Sequence, residues 1–189
     1  MRYRDLAIII LCALLGFTNL HAGYTIELNS VPNYRHEFSK VAMAPCDCPE
    51  DVDCLWLERR LGEQIGLYKG ITVVPAQRVR EVMFQLGLQQ LDEKSRTLVS
   101  EKLDVDSFAV AIVQHSGSQA SGMVGFWAGS TIGMSQTAIV KGKVEFLIVR
   151  ATSGDVLVRG IGYGKSEWRT DKGVLWNIFR RIIHKALKS

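Results

Sequence analysis

Three cysteines, Cys46, Cys48 and Cys54, lie within nine residues and are the first candidates for chemistry in this chain. In an oxidising compartment such a set forms one disulfide and leaves one thiol over. A bridge from Cys46 or Cys48 to Cys54 would staple a strand end to the start of a helix. So short a loop gains little, below the ~3 kcal/mol of a roughly 15-residue loop. Two alternatives stay open. Three thiolates, with His36 or Met43 as a fourth donor, would suit Zn²⁺ or Cu⁺, although Cys-x-Cys departs from the spacing of common zinc modules. The odd cysteine can instead pair with another chain. The structural disulfide is the favoured expectation, with no metal and no cofactor.

Other constellations are thin. The run from Gly160 to Ser166, GIGYGKS, echoes a phosphate-binding loop. That pattern needs its first glycine at 159, where Arg159 stands, and no helix follows at once. These glycines are better suited to a twisted hairpin strand. Neither Gly-x-Ser-x-Gly nor Ser-x-x-Lys occurs, and His36, His115 and His184 are the only histidines beyond residue 22. His115, beside Ser116 at a strand end, is the one pairing to note, and a lone histidine is more often structural than catalytic. The chain is expected not to be an enzyme.

The compartment is read from the N-terminus. Arg2 and Arg4 precede an apolar run over 6–17, and Ala22 offers a cut before Gly23. That is the layout of a secretory signal peptide, since a membrane span needs about 20 apolar residues. An uncleaved anchor is the alternative, because Leu20 departs from the usual small residue of the cleavage motif. Cys12 follows Leu11 inside the apolar run, which argues against a lipid anchor. The chain is thus expected to cross the inner membrane and work in the periplasm, with outer-membrane contact left open. Nucleic acid is excluded as a partner by that location.

The elements that must position any site follow from periodicity. Alternation at Tyr24, Ile26 and Leu28 predicts a short strand or arm, and 23–39 reads as an N-terminal arm and linker. Strands are predicted over 40–44, 71–74, 108–113, 138–150 and 156–163, and helices over 52–67, 79–86, 92–103 and 171–188. On the 138–150 strand, Val140, Val144, Phe146 and Ile148 face one way and Lys141, Lys143 and Glu145 the other. The last helix carries an apolar stripe from Val174 to Leu187, with Arg180, Arg181, His184 and Lys185 opposite. Residues 165–189 hold seven Lys/Arg against Glu167 and Asp171, a basic surface for anionic headgroups or an acidic protein patch. A solvated helix face explains it equally simply. Apolar content of 47% and charged content of 22% are those of an ordinary globular chain. The expectation is a single α+β domain over 40–189, a mixed β-sheet packed by helices on one side.

One stretch stands apart. From Ser116 to Val140 there is no charged residue, and Gly117, Ser121, Gly125, Gly129, Gly133 and Thr137 recur at every fourth position. Met123, Val124, Phe126, Trp127, Ile132 and Met134 lie among them. Three forms are open: a Gly/Ser loop, a hairpin touching a membrane or partner, and a spanning helix with small residues at its packing face. A structureless loop of this length is uncommon and often functional. Residues 116–137 are therefore taken as an insertion. Its six large apolar residues, with Arg180, Arg181 and Lys185, are the candidate binding residues.

The order of elements carries a resemblance. An early VAMAP strand and a helix lead into GITVVPAQRVREVMFQLGL, then a helix before LDVDSFAVAIV, a long strand, ATSGDVLVRGIGYG and a closing helix. Over roughly 40–187 this resembles the α/β module of a group of bacterial envelope proteins. They are the curli secretion protein CsgG, the penicillin-binding-protein activator LpoB and the N-terminal domain of TolB. Asp106 and Gly154 stand where that family has an aspartate before a strand and a glycine in a hairpin turn. The family's members are mostly lipoproteins, and this chain lacks a good lipobox. The resemblance implies envelope assembly or partner binding without catalysis: an envelope protein partner or self-association.

Overall fold

The computed structural model describes residues 23–31, 34, 37–128, 131–166 and 170–188. The expected signal segment at 1–22 lies outside them, as do His36, Glu167 and Arg169. Among the described residues six strands and four helices follow one another. They are β1 (Gly23–Ser30), β2 (Lys40–Met43), α1 (Cys54–Gly66), β3 (Thr72–Val74), α2 (Ala76–Gln85) and α3 (Glu93–Leu103), then β4 (Ser107–Ala128), β5 (Thr131–Arg150), β6 (Val156–Ser166) and α4 (Asp171–Lys188). The strands form one sheet in the order β1-β6-β5-β4-β2-β3. β2 runs parallel to β3 and β4, and the other pairs are antiparallel. The α+β class with a mixed sheet is as expected.

Local chemistry sets the boundaries. The Asp53 carboxylate accepts the Trp56 N–H at 3.1 Å and opens α1. Asp92 accepts the Ser95 N–H at 2.8 Å and opens α3. Both satisfy amides that a first helical turn leaves unpaired. α2 starts behind Pro75 and stops where Gly87 takes φ 68°, with the Leu88 N–H closing on the Met83 carbonyl at 2.9 Å. Asp106 ties β2 to β4: its Oδ2 accepts the Ser39 and Lys40 amides at 2.7 and 3.0 Å. Gly154 turns β5 into β6 at φ 80°.

The helices divide between the two faces of the sheet, which corrects the expectation of one covered side. α1 and α4 lie on one face, where Leu57, Leu61, Phe146, Ile178 and Phe179 meet in the main core. α2 and α3 lie on the other, where Val79, Val82 and Val99 close over Ala42 and Phe108. The reason is in the strands. Val41, Ala42 and Met43 are all fully buried, so β2 is apolar on both faces and needs cover on both.

The glycines of β6 set the seat of α4. Gly160, Gly162 and Gly164 face it at alternate positions. A Cβ on Gly160 would lie 2.2 Å from Ile182 Cγ2, and one on Gly162 would lie 2.1 Å from Ile178 Cγ2. Beyond the expected twist of the strand, these positions let a helix rest on bare backbone.

Candidate interaction surface

β4 and β5 form a hairpin far longer than the sheet they belong to. β6 leaves β5 at Val140, opposite Ser166. Beyond that point β4 and β5 pair only with each other among the described residues, through to Ala128 opposite Thr131. The free arms are ten residues on β4 (119–128) and nine on β5 (131–139). Of the three forms open for the Gly-rich stretch, this is the hairpin. The weak alternation of a Gly/Ser-rich run hid it, and the spanning helix is set aside because the backbone is strand.

The register places the six candidate residues. Trp127 is opposite Ile132, Gly125 opposite Met134, Phe126 opposite Gly133 and Val124 opposite Ser135. Positions 123, 125, 127, 132 and 134 therefore share one face, and 124 and 126 the other. Both faces of the tip carry large apolar residues, and a glycine opposes Phe126 and Met134. Register shifts between Val113 and His115 and between Ser121 and Met123 interrupt the ladder along β4.

The basic residues of α4 are elsewhere. The hairpin leaves the sheet beside the start of α4, where Val174 and Leu175 lie against Gly142. Arg180, Arg181 and Lys185 are exposed on the later turns. The Arg181 guanidinium sits 4.8 Å from the centre of the Tyr24 ring, and Arg180 flanks a small cavity with Gln64 and His184. The two candidate surfaces are thus not one surface.

At the root of the hairpin three lysines come together on one sheet face. Lys141 of β5 is directly opposite Lys165 of β6, and Lys143 is opposite Tyr163. All four share the sheet face away from α4. Alternation puts Lys141 and Lys143 on one face, and the pairing with β6 brings Lys165 beside them. α2 and α3 cover the β2 end of this face, whereas Lys143, Lys165 and Tyr163 stand exposed.

The cysteines resolve into one bridge. Cys48 and Cys54 are bonded, with Cα atoms 6.2 Å apart, and join the segment after β2 to the first turn of α1. Cys46 is free. Burial and the Glu58 carboxylate push its thiol far above the usual range, against a smaller pull from Arg80. The metal alternative loses two of its three thiolates to the bridge. Glu58 is buried, accepts the Cys46 N–H at 2.8 Å and pairs with Arg80. These two ions line a cleft of about 590 Å³ between α1 and α2. Within the cleft each of these two is paired with the other.

No protein-family model matches the sequence, and no curated protein matches it. Among solved structures, the chain is similar to a PelC dodecamer from Paraburkholderia phytofirmans. One structure superposes with a TM-score of 0.53 at 11% identity, covering 88% of this chain and 100% of that one. A second PelC structure gives 0.51 at 14% identity, covering 87% and 95%. The LpoB C-terminal domain from Escherichia coli gives 0.43 at 13% identity, covering 82% and 92%. At these identities the likeness is one of fold, and it rests on the PelC superpositions; the LpoB fit is too loose to add weight.

Proposed function

We propose that this chain is a non-catalytic cell-envelope protein that assembles with copies of itself through the β4–β5 hairpin. One observation carries the reading: each arm of the hairpin has an outer edge with no strand beside it among the described residues. Unpaired strand edges recruit further strands, and a two-stranded hairpin is marginal alone. PelC, whose fold this chain shares, forms a dodecamer, so the fold is compatible with assembly. A secretory-type N-terminus and the Cys48–Cys54 bridge support an oxidising compartment. The resemblance in element order to CsgG, LpoB and TolB points to the same kind of role.

Insertion of the hairpin into the outer membrane is a second reading, favoured by its length and composition. A transmembrane strand needs about 9–11 residues, the length of each arm, and 116–140 is uncharged. Lipid offers no partner to an open strand edge, so insertion requires closure with other copies. No described helix is long and apolar enough to cross a membrane.

Light scattering on the protein in mild detergent tests assembly. The intact chain should form a defined oligomer, and replacing 119–139 with an Asn-Gly turn should leave a folded monomer. Phe126→Ser with Trp127→Ser should weaken the oligomer without altering the fold. A strict monomer for the intact chain, or an unchanged oligomer after trimming, refutes the proposal.

A further inference from the structure

We infer that the lysine cluster at the root of the hairpin docks on the headgroups of an anionic phospholipid bilayer. The inference rests on the membrane reading above and deepens it. Its first support is the pairing of Lys141 with Lys165. Residues directly opposite on one sheet face have Cβ atoms about 5 Å apart, so the pairing gathers positive charge on one face of the sheet. Lys143 extends the positive charge along the same face of β5. Glu145, the next residue of that row, is already taken by Arg159 at 2.7 Å and Gln114 at 3.2 Å.

The second support is level. Lys141 and Lys165 lie one residue inside the end of β6, where the hairpin leaves the sheet. Above them the ten residues of the β4 arm rise about 3.4 Å each, roughly the 30 Å of a hydrocarbon core. A hairpin spanning that core would set these ammonium groups at the headgroups, with their stems lying along apolar surface. Tyr163, 40% exposed in the same patch, has the amphipathic ring that favours this depth.

The opposite sheet face agrees. Trp56 and Trp176, half-buried with ring centres 6.4 Å apart, sit by the start of α4, beside the hairpin's root. Lys172 lies 5.7 Å from the Trp56 ring. Tryptophan and lysine are the residues found where membrane proteins cross the interface. Aromatic and cationic groups thus flank the emerging hairpin on both faces of the sheet.

Co-flotation of the full chain with vesicles tests the inference. Vesicles of phosphatidylcholine are compared with the same lipid doped with phosphatidylglycerol, and bound protein is then washed in alkaline carbonate. The chain should partition more strongly onto the doped vesicles, and added salt should erase the difference. Each lysine near an anionic surface contributes about 1 kcal/mol, close to fivefold. The triple variant Lys141→Gln, Lys143→Gln, Lys165→Gln should therefore lose on the order of 100-fold on doped vesicles. The corresponding triple arginine variant should keep its binding, which separates loss of charge from loss of fold.

Equal partition onto both vesicles, indifferent to the glutamine variant, overturns the lysine docking; resistance to carbonate would then leave insertion standing alone. Charge-dependent binding that carbonate strips away upholds the docking and refutes insertion. Binding to neither vesicle refutes both. A change in oligomer size of the glutamine variant without vesicles overturns the inference by making the patch a protein interface.

Discussion

Replacing Gly162 with alanine should destabilise the protein by about 2 kcal/mol, and the reason is purely steric. The added Cβ would lie 2.1 Å from Ile178 Cγ2 and 3.0 Å from both Ile182 Cδ1 and Ile26 Cδ1. Isoleucine has essentially one χ1 rotamer in a helix, so its γ-methyl cannot swing aside. α4 must lift from β6 instead, and it is held down by Phe179, Ile182 and Ile183, all fully buried. Overpacking of this kind costs about 1–3 kcal/mol, and a fixed methyl puts it near the top. Alanine returns roughly 0.4–1 kcal/mol by restricting the unfolded chain, which leaves the stated net. In urea, with a slope of about 1–3 kcal/mol/M, the midpoint should fall by roughly 1 M at unchanged slope. Gly142→Ala is the control: its nearest contact, 3.1 Å, is the flexible tip of Leu175, and it should stay within about 0.5 kcal/mol. Ile178→Ala removes the obstructing methyl, so the double variant should be more stable than the sum of the singles by about 1–2 kcal/mol. An unmoved midpoint for Gly162→Ala, or strict additivity in the double variant, would refute the reasoning.

Four further outcomes follow from the same structure. Arg80→Ala leaves the Glu58 carboxylate buried and unpaired, and should cost about 3 kcal/mol in urea unfolding; the partial exposure of Arg80 keeps it at the low end for a broken buried pair. Cys48→Ser opens a bridge of sequence separation 6 and should cost about 2 kcal/mol. In the native wild type, Cys46 should resist iodoacetamide at neutral pH, as counted by mass spectrometry. The pH profile of stability should fall at both ends. Asp53, held down by the Lys172 bond and the Trp56 amide, Glu81, held down by Arg78, and Asp92, held down by the Ser95 amide, all titrate below their ordinary values of 3.8, 4.5 and 3.8. Their contribution is in place above those values and is lost as pH falls through the lower folded ones. Cys46 is raised above 9.0, so its contribution is complete below that value and lost as pH rises beyond it. Cys46→Ala should flatten the alkaline limb in thermal melts across pH.

The sequence carried the element order well because the signals were strong. The stripe on α4 runs from Val174 to Leu187, and each of its residues from Val174 on is buried. Alternation along β5 assigned Val144, Phe146 and Ile148 to the core, and they are fully buried. The one-sided arrangement of helices was wrong for a readable reason. β2 has no polar face, and Phe108 begins β4 on the side opposite to Ala109 and Ala111. A run buried on both sides asks for two layers of helices. Asp106 and Gly154, which carried the family resemblance, have structural tasks: one binds the amides of Ser39 and Lys40, the other turns a hairpin.

The surfaces were less legible because they depend on pairing. Nothing in the spacing of Lys141, Lys143 and Lys165 says that β6 ends where it does, or that two lysines meet there. The glycines of GIGYGKS look like a nucleotide motif in one dimension. In three they are the floor beneath Ile178 and Ile182. The Gly-rich stretch hid its strands because side-chain alternation marks a strand chiefly where one face is buried, and among the described residues no third strand stands beside these arms.

That same lack of a third strand is the strongest physical argument for assembly. Inside the sheet, β4 and β5 are backed by α4 and flanked by β2 and β6. Beyond Val140 they pair only with each other among the described residues. Such an extension gains one ladder of hydrogen bonds while leaving, among the described residues, two strand edges without a neighbouring strand. Two strands alone seldom hold, and Gly125 and Gly133 remove cross-strand contacts that would help. Its stability must come from outside the monomer, and added strands from further copies supply it in any medium. Lipid can cover the apolar faces but cannot satisfy the edges, so on the proposed reading insertion presupposes assembly. The order is testable: the Phe126→Ser, Trp127→Ser variant, impaired in assembly, should lose carbonate-resistant membrane retention while its lysine-dependent, salt-sensitive vesicle binding survives. Retention of that variant as a carbonate-resistant monomer would break the argument at its central step.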